Sequence, residues 1–180
     1  LLGTAAILSI VIGIPLGIYC STRPRFYAFI RPIMDFMQTM PAFVFMIPVI
    51  AFFGTGKVAA VIITMIFGGT PVVRLTVLGL RGVPQNIREA AIAYGASKWY
   101  LLTKVDIPLA LPTILAGVNQ TVMLSLAMVV VASLIGAKGL GQDVLEALQY
   151  SNVGQGILAG IAILFVALLL DRIVQGKKRV

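Results

Sequence analysis

Residues 89–112 open with Glu89-Ala90-Ala91-Ile92-Ala93-Tyr94-Gly95, run on for eleven residues, and close with Ile107-Pro108-Leu109-Ala110-Leu111-Pro112. This polar interruption lies between stretches apolar enough to cross a bilayer. A hydrocarbon core about 30 Å thick takes roughly 20 apolar residues as helix. Five stretches come close to that length: 2–20, 34–53, 58–80, 113–135 and 154–173. Helix is the required conformation, because each backbone group left unpaired in lipid costs several kcal/mol. Composition agrees, with 59% hydrophobic and 11% charged residues and a mean hydropathy of +1.04. The chain reads as a single all-α membrane domain over residues 1–180, with the polar loop at 81–112.

The basic residues give the expected orientation. Arg23, Arg25 and Arg31 fall between the first two spans, and Arg81, Arg88, Lys98 and Lys104 between the third and fourth. Arg172, Lys177, Lys178 and Arg179 follow the fifth, making eleven of the fourteen Lys and Arg. The alternate loops hold Lys57 and Lys138, and Arg74 is expected to snorkel toward the side of Arg81. The positive-inside rule then places the N-terminus of this sequence outside, the C-terminus in the cytoplasm and the Glu89 loop in the cytoplasm. Lipid headgroups and cytoplasmic loops account for the net charge of +8, so nucleic acid is excluded as a partner. The sequence opens inside an apolar run without an initiator Met, which predicts missing N-terminal residues.

Several local features carry structural expectations. Pro41 and Pro48 in the second span, and Gly68, Gly69 and Pro71 in the third, predict kinks or breaks. Gly13 with Gly17, and Gly156 with Gly160, permit close helix contacts. In the polar loop, Pro84 precedes a short helix over 85–94, and Gly95 ends it in the left-handed conformation. Ser97 caps a second short helix to about Val105, which Pro108 and Pro112 are expected to stop. The result is a helix-turn-helix elbow. Ala90, Ala91 and Gly95 keep one surface slim enough for another protein's backbone to approach, with Arg88 and Glu89 supplying charge beside it. The competing account is an amphipathic loop resting on headgroups, anchored by Trp99 and Tyr100. Against it stand the acidic Glu89 and Asp106, in a zone where anionic lipid favours cations.

Glu89, Ala90, Ala91, Gly95, Ile107, Leu111 and Pro112 resemble the EAA motif of bacterial ABC importer permeases, with Pro108 following Ile107 here. The stretches 37–44 with Ile47-Pro48, 74–76, 116–121 and 135–141 are similar to the glycine betaine/proline betaine (quaternary amine) uptake permeases. The resemblance implies a type I ABC importer permease (MetI-like) fold of about five transmembrane helices in the bacterial inner membrane. It also implies that the elbow is a cytoplasmic coupling helix carried by Glu89, Ala90, Ala91, Gly95, Ile107, Pro108, Leu111 and Pro112. The implied partners are two ABC ATPase subunits that bind ATP and Mg, a second permease copy, and a substrate-binding protein, separate or fused.

A betaine has no hydrogen to donate from its quaternary ammonium, so aromatic faces would recognise it, at about 0.5–2 kcal/mol each. Phe36, Phe43, Phe45, Phe52 and Phe53 are candidates, with Met37 and Met40 as liners. With Pro41 and the polar Asn119 and Gln120, these give a candidate translocation path of Met37, Met40, Pro41, Phe43, Asn119 and Gln120. Asn119, Gln120, Thr121 and Ser125 are expected to face the bundle, as hydrogen-bonding or path-lining groups. Asp35 gates the path or pairs with Arg31. Asp143 and Glu146, on a short helix of the outer loop 136–152, are candidates for docking the binding protein.

The sequence contains no histidine and a single cysteine, Cys20, so no metal, cofactor or catalytic site is expected in this chain. Gly54-Thr55-Gly56-Lys57 lacks the upstream glycine and the Ser/Thr of a nucleotide-binding loop, and reads as a turn. An enzyme is therefore the weakest reading. A permease for choline, carnitine or an amino acid competes within transport, and a passive channel or osmotic sensor competes from outside it.

Overall fold

The structure, a computed structural model, describes residues 2–175. Lys177, Lys178 and Arg179 of the C-terminal basic cluster lie outside the described residues. The chain forms α1 (Leu2–Thr22), α2 (Pro24–Thr39), α3 (Ala42–Phe53), α4 (Lys57–Arg81), α5 (Gln85–Ala93) and α6 (Lys98–Tyr100). A π-helical segment (Leu101–Asp106) leads into α7 (Ile107–Ser133), followed by α8 (Leu140–Gln149) and α9 (Val153–Gln175). Helix α4 packs between α1 and α7, and α9 packs on α7 and α8. Four helical runs are long and apolar enough to cross a membrane: Leu2–Thr22, Lys57–Arg81, Lys98–Ser133 and Val153–Ile173.

The second span is broken, as its prolines predict. It is not one helix over 34–53 but the pair α2 and α3, bent by 105° and together able to form a fifth, broken span. Pro41 causes the break: it lacks an N–H and pushes the residue before it out of the helical region. Met40 is accordingly extended, at φ −74° and ψ 136°. Pro48 is tolerated inside α3, and Gly68, Gly69 and Pro71 leave α4 as one unbroken helix, contrary to the expected break. Pro108 and Pro112 do not stop the elbow's second helix either, since the helical run continues for 36 residues from Lys98 to Ser133. The π turn, closed by Ile107 N–H donating to the Leu102 carbonyl, widens the backbone just ahead of Pro108. That extra room relieves the clash of a proline ring with the preceding turn.

The ends of the bundle sort as the basic residues suggest. Arg81 at the end of α4 stacks over the Tyr27 ring at 4.4 Å and donates to the Cys20 carbonyl at 3.5 Å, so the α1–α2 corner shares the elbow's end. At the far end of α4 lies the turn 54–57, where Gly54 and Gly56 take φ +70° and +136°.

Backbones meet most closely where glycine faces a neighbour. A Cβ on Gly17 of α1 would stand 2.6 Å from the Thr76 Cβ of α4, and one on Gly117 of α7 would stand 2.9 Å from the Leu75 Cβ. Gly13 faces Val72 and Val73 in the same manner, which fulfils the expectation for that pair. Of the second pair, Gly156 abuts Ala147, but Gly160 has nothing within 4 Å and no packing role. Gly17→Leu is expected to cost about 1–3 kcal/mol by overpacking. Gly160→Leu is expected to stay within about 0.5 kcal/mol of the parent. Denaturation midpoints in mild detergent would measure both.

Candidate functional site

The elbow is built by its own backbone. Pro84, with φ −57° and ψ 133°, leads into α5, where Gln85 Nε2 donates to Glu89 Oε1 at 2.9 Å one turn on. Gly95 takes φ +83°, and Ala96 N–H closes on the Ala91 carbonyl at 3.0 Å. The added Cβ at Gly95 would meet nothing within 4 Å, so the left-handed backbone rather than crowding requires glycine there. Ser97 Oγ then accepts from the Tyr100 N–H at 3.2 Å and caps the second helix, as the sequence suggests.

The elbow presents an outward surface. Glu89, Ala90 and Gly95 are exposed and Ala91 is half-buried. Beside them Tyr94 is 95% exposed and Trp99 73%, with Ile92 and Tyr100 also open. Large apolar groups exposed this densely mark a contact surface. The C-terminal part of the motif divides: Ile107 packs on the cluster of Leu80, Val83, Ala110 and Ile114, whereas Pro108, Leu111 and Pro112 lie exposed on the start of α7.

Arg88 does not stand beside the outward surface. It is half-buried and turned inward, its Nε donating to Asp106 Oδ1 at 2.7 Å and its Nη2 to the Leu80 carbonyl at 2.6 Å. Asp106, whose acidity the sequence set against a headgroup location, is buried. The two residues are 18 apart, with the elbow's turn between them, so helical periodicity gives no signal for the pair.

At membrane depth a second charged group forms. Arg74 on α4 pairs with Asp35 of α2 and donates to Gln38 Oε1 at 3.0 Å, instead of reaching toward Arg81. Arg31 lies 3.8 Å from the other oxygen of Asp35, so the expected Arg31–Asp35 pair forms alongside the unexpected one. A partner on α2 holds Arg74 because an unpaired guanidinium within a span is costly.

The candidate path residues do not converge into one enclosed site. Met37 is half-buried along an apolar groove of about 240 Å³ that also includes Ile33, Met34, Met65 and Ile66. Met40 and Pro41 form the break, while Phe43, Phe36, Phe52 and Phe53 are exposed and Phe45 half-buried. Among the described residues the ring pair in contact is Tyr19 with Phe26, so these five aromatics do not form a cage within one chain. Thr121 and Ser125 face α4, as expected, but Ser125 Oγ donates to the Thr121 carbonyl of its own helix at 2.8 Å. Thr76 Oγ1, Thr121 Oγ1 and Asn119 Oδ1 are buried without a hydrogen-bond partner. Gln120 departs from expectation: it is exposed on the open side of α7, with Ala116 and Met123.

At the far end, Asp143 is exposed in the first turn of α8, where the helix dipole favours an acid. Glu146 is half-buried and accepts from Gln142 Nε2 at 2.8 Å. Among the described residues no three His, Cys, Asp or Glu side chains group as metal ligands would.

Apolar helices packed on a central span, with one water-facing elbow at the basic end, define a multi-pass membrane protein. The chain belongs to the family of binding-protein-dependent transport system inner membrane components, whose sequence profile matches residues 10–176. It is 48% identical over 176 residues to the glycine betaine/proline betaine transport system permease protein ProW of Escherichia coli (strain K12), covering 98% of this chain and 50% of ProW. It is 48% identical over 172 residues to the glycine betaine/carnitine transport permease protein GbuB of Listeria monocytogenes serotype 1/2a (strain 10403S), covering 96% of this chain and 61% of GbuB. The chain thus spans about half to three-fifths of the length of these curated relatives. A chain from the inward-facing crystal structures of the MetNI methionine ABC transporter superposes with a TM-score of 0.83 at 23% identity, covering 95% of this chain and 88% of that one. The fold is the expected MetI-like one.

Breaking the membrane-depth pair tests how α2 is held. Arg74→Gln and Asp35→Asn are each expected to speed hydrogen exchange along α2. The double variant should recover part of the loss, with a coupling of about 0.5 kcal/mol or more in a double-mutant cycle.

Proposed function

We propose that this chain is the membrane-spanning permease part of an ATP-driven importer for glycine betaine, proline betaine or a related quaternary-amine solute taken up for osmoprotection. The observation that carries the reading is the elbow: a slim, glycine-bounded corner flanked by exposed aromatics, at the basic end of a bundle 48% identical to a betaine permease. The relatives' names support the solute class, and the name of GbuB adds carnitine as a second candidate.

In this reading the elbow faces the cytoplasm, the N-terminus of the sequence lies outside and the C-terminus inside, in a bacterial inner membrane. Arg23, Arg25, Arg81 and Arg88, gathered at the elbow's end, support that orientation. Two ATPase subunits, which hold ATP and Mg, each receive one elbow in a groove through Glu89, Ala90, Ala91 and Gly95, with Ile107, Pro108, Leu111 and Pro112 forming its base. A second copy of the permease covers the open side of α7, because Gln120 facing lipid would be disfavoured. The space between the copies is then the path, shared by Gln120, Asn119 and the bent α2–α3 arm with Met37, Met40, Pro41 and Phe43. An unpartnered Asn119 Oδ1 supports a polar lining there.

The chain's own part is mechanical. The helical run Lys98–Ser133 has 36 residues, about 54 Å at 1.5 Å per residue, and so reaches from the elbow through the bilayer. Closure of the ATPases on ATP carries the elbows inward and opens the path toward a loaded binding protein, and hydrolysis resets it. Selectivity lies mainly in the binding protein, which docks at the far end through Asp143 and Glu146.

Gly95→Trp and Glu89→Lys are each expected to reduce copurification of the ATPase and to abolish substrate-stimulated ATP turnover. Unchanged association and turnover in both would remove the coupling assignment. Asp143→Lys with Glu146→Lys, in nanodiscs, is expected to lower stimulation of ATP turnover by the binding protein while leaving the unstimulated rate intact.

A further inference from the structure

We propose that Arg88 is a positioning residue which, with Asp106, forms the strut that carries motion from the elbow into α4 and α7. This rests on the coupling reading above and adds how the coupling is transmitted.

One guanidinium ties three elements. Arg88 stands on α5, its Nε donates to Asp106 at the α7 end of the π segment, and its Nη2 donates to the carbonyl of Leu80 in the last turn of α4. Leu80 carries one of the final carbonyls of α4, which lack a donor within the helix, and a cation is favoured there. The Asp106 side chain is only 10% exposed, and the next residue, Ile107, packs on the apolar cluster of Leu80, Val83, Ala110 and Ile114. Pulling α5 away would leave a buried carboxylate unpaired, which is far costlier than separating a solvated pair. The rest of α5 has no such anchor: its residues other than Arg88 and Ala91 are exposed, and it packs on the π segment.

The position of the acid matters as much as the bond. The π turn, closed by Ile107 N–H on the Leu102 carbonyl, interrupts the α-helical bonding pattern between the elbow and α7. A push transmitted along the backbone alone reaches α7 only through that irregular turn. Asp106 lies at its α7 end, so the strut bypasses the turn and loads α7 directly, while the Leu80 contact loads α4. Arginine suits this role because its planar fork serves two acceptors in fixed directions, which a lysine ammonium does not do.

The test uses the whole transporter, permease with its ATPase and binding protein, in nanodiscs. Arg88→Gln and Asp106→Asn are expected to keep ATPase copurification and unstimulated hydrolysis. The solute moved per ATP hydrolysed should fall by at least about fivefold, with Arg88→Lys intermediate. A variant that merely loosens the fold would lower stability without changing that ratio. Asp106→Asn, nearly identical in shape, keeps the test open if Arg88→Gln does not fold. A ratio unchanged in both Arg88→Gln and Asp106→Asn, while Gly95→Trp still loses the ATPase, would overturn the strut alone. Full ATPase association in Gly95→Trp would instead overturn the docking reading beneath it.

Discussion

Apolar side chains gain little by exchanging lipid for protein, so helices in a bilayer are held by close backbone approach and by the polar groups that approach lets meet. Helix α4 is where that constraint is satisfied on two sides. Gly17 brings α1 against Thr76, and Gly117 brings α7 against Leu75 and Val72. Close approach also allows Ser9 Oγ to donate to the Met65 carbonyl at 3.3 Å between α1 and α4. Once α4 is pinned between α1 and α7, its two ends fix the far turn at 54–57 and the elbow that follows Arg81.

The same packing decides which prolines matter. Pro71 sits in the middle of α4, buried, where neighbours on both sides constrain the helix, and α4 stays whole. Pro41 sits where α2 has few neighbours, and the chain turns there by 105°. Pro108 follows a π turn that already holds the extra width. A proline in a sequence states a local preference, and the packing around it determines whether that preference is expressed. Span positions, the elbow's first helix, the left-handed Gly95 and the Ser97 cap were legible because each depends on residues within a few positions of one another. The break at Pro41 was legible too, from proline's local effect on the residue before it; the unbroken α4 and the long run through Pro108 were not, because each depends on neighbours distant in sequence.

Charges follow the same division. The basic residues at helix ends were legible as an orientation signal, since a count by loop suffices. The partners of Arg74 and Arg88 were not. Asp35 lies 39 residues from Arg74, and Asp106 lies 18 from Arg88 with the elbow's turn between them, so no single element's periodicity relates either pair. Cost does the pairing: a guanidinium within a span, or a buried carboxylate such as that of Asp106, is retained only where a counter-charge is within reach. The path residues were the least legible, because Gln120 and the phenylalanines of α2 and α3 lie on open faces whose lining depends on what covers them.

Those open faces and the elbow make opposite demands on the chain. In the proposed reading, a surface that moves against another copy stays loosely bonded, and the α2–α3 arm has a broken backbone, a half-exposed ion pair and exposed aromatics. In the same reading a surface that receives force is stiff, and the elbow's base has a capped helix, an inward arginine serving two acceptors, and a buried carboxylate. The two regions are joined through α4, which carries Arg74 along its length and the Leu80 carbonyl at its end. The separation between Arg74 and Leu80 is six residues, about 9 Å along the helix axis. Under the proposed coupling, a tilt of α4 imposed at Leu80 reaches the Arg74–Asp35 contact within two turns of helix, so the loosely held arm follows directly from the stiff elbow.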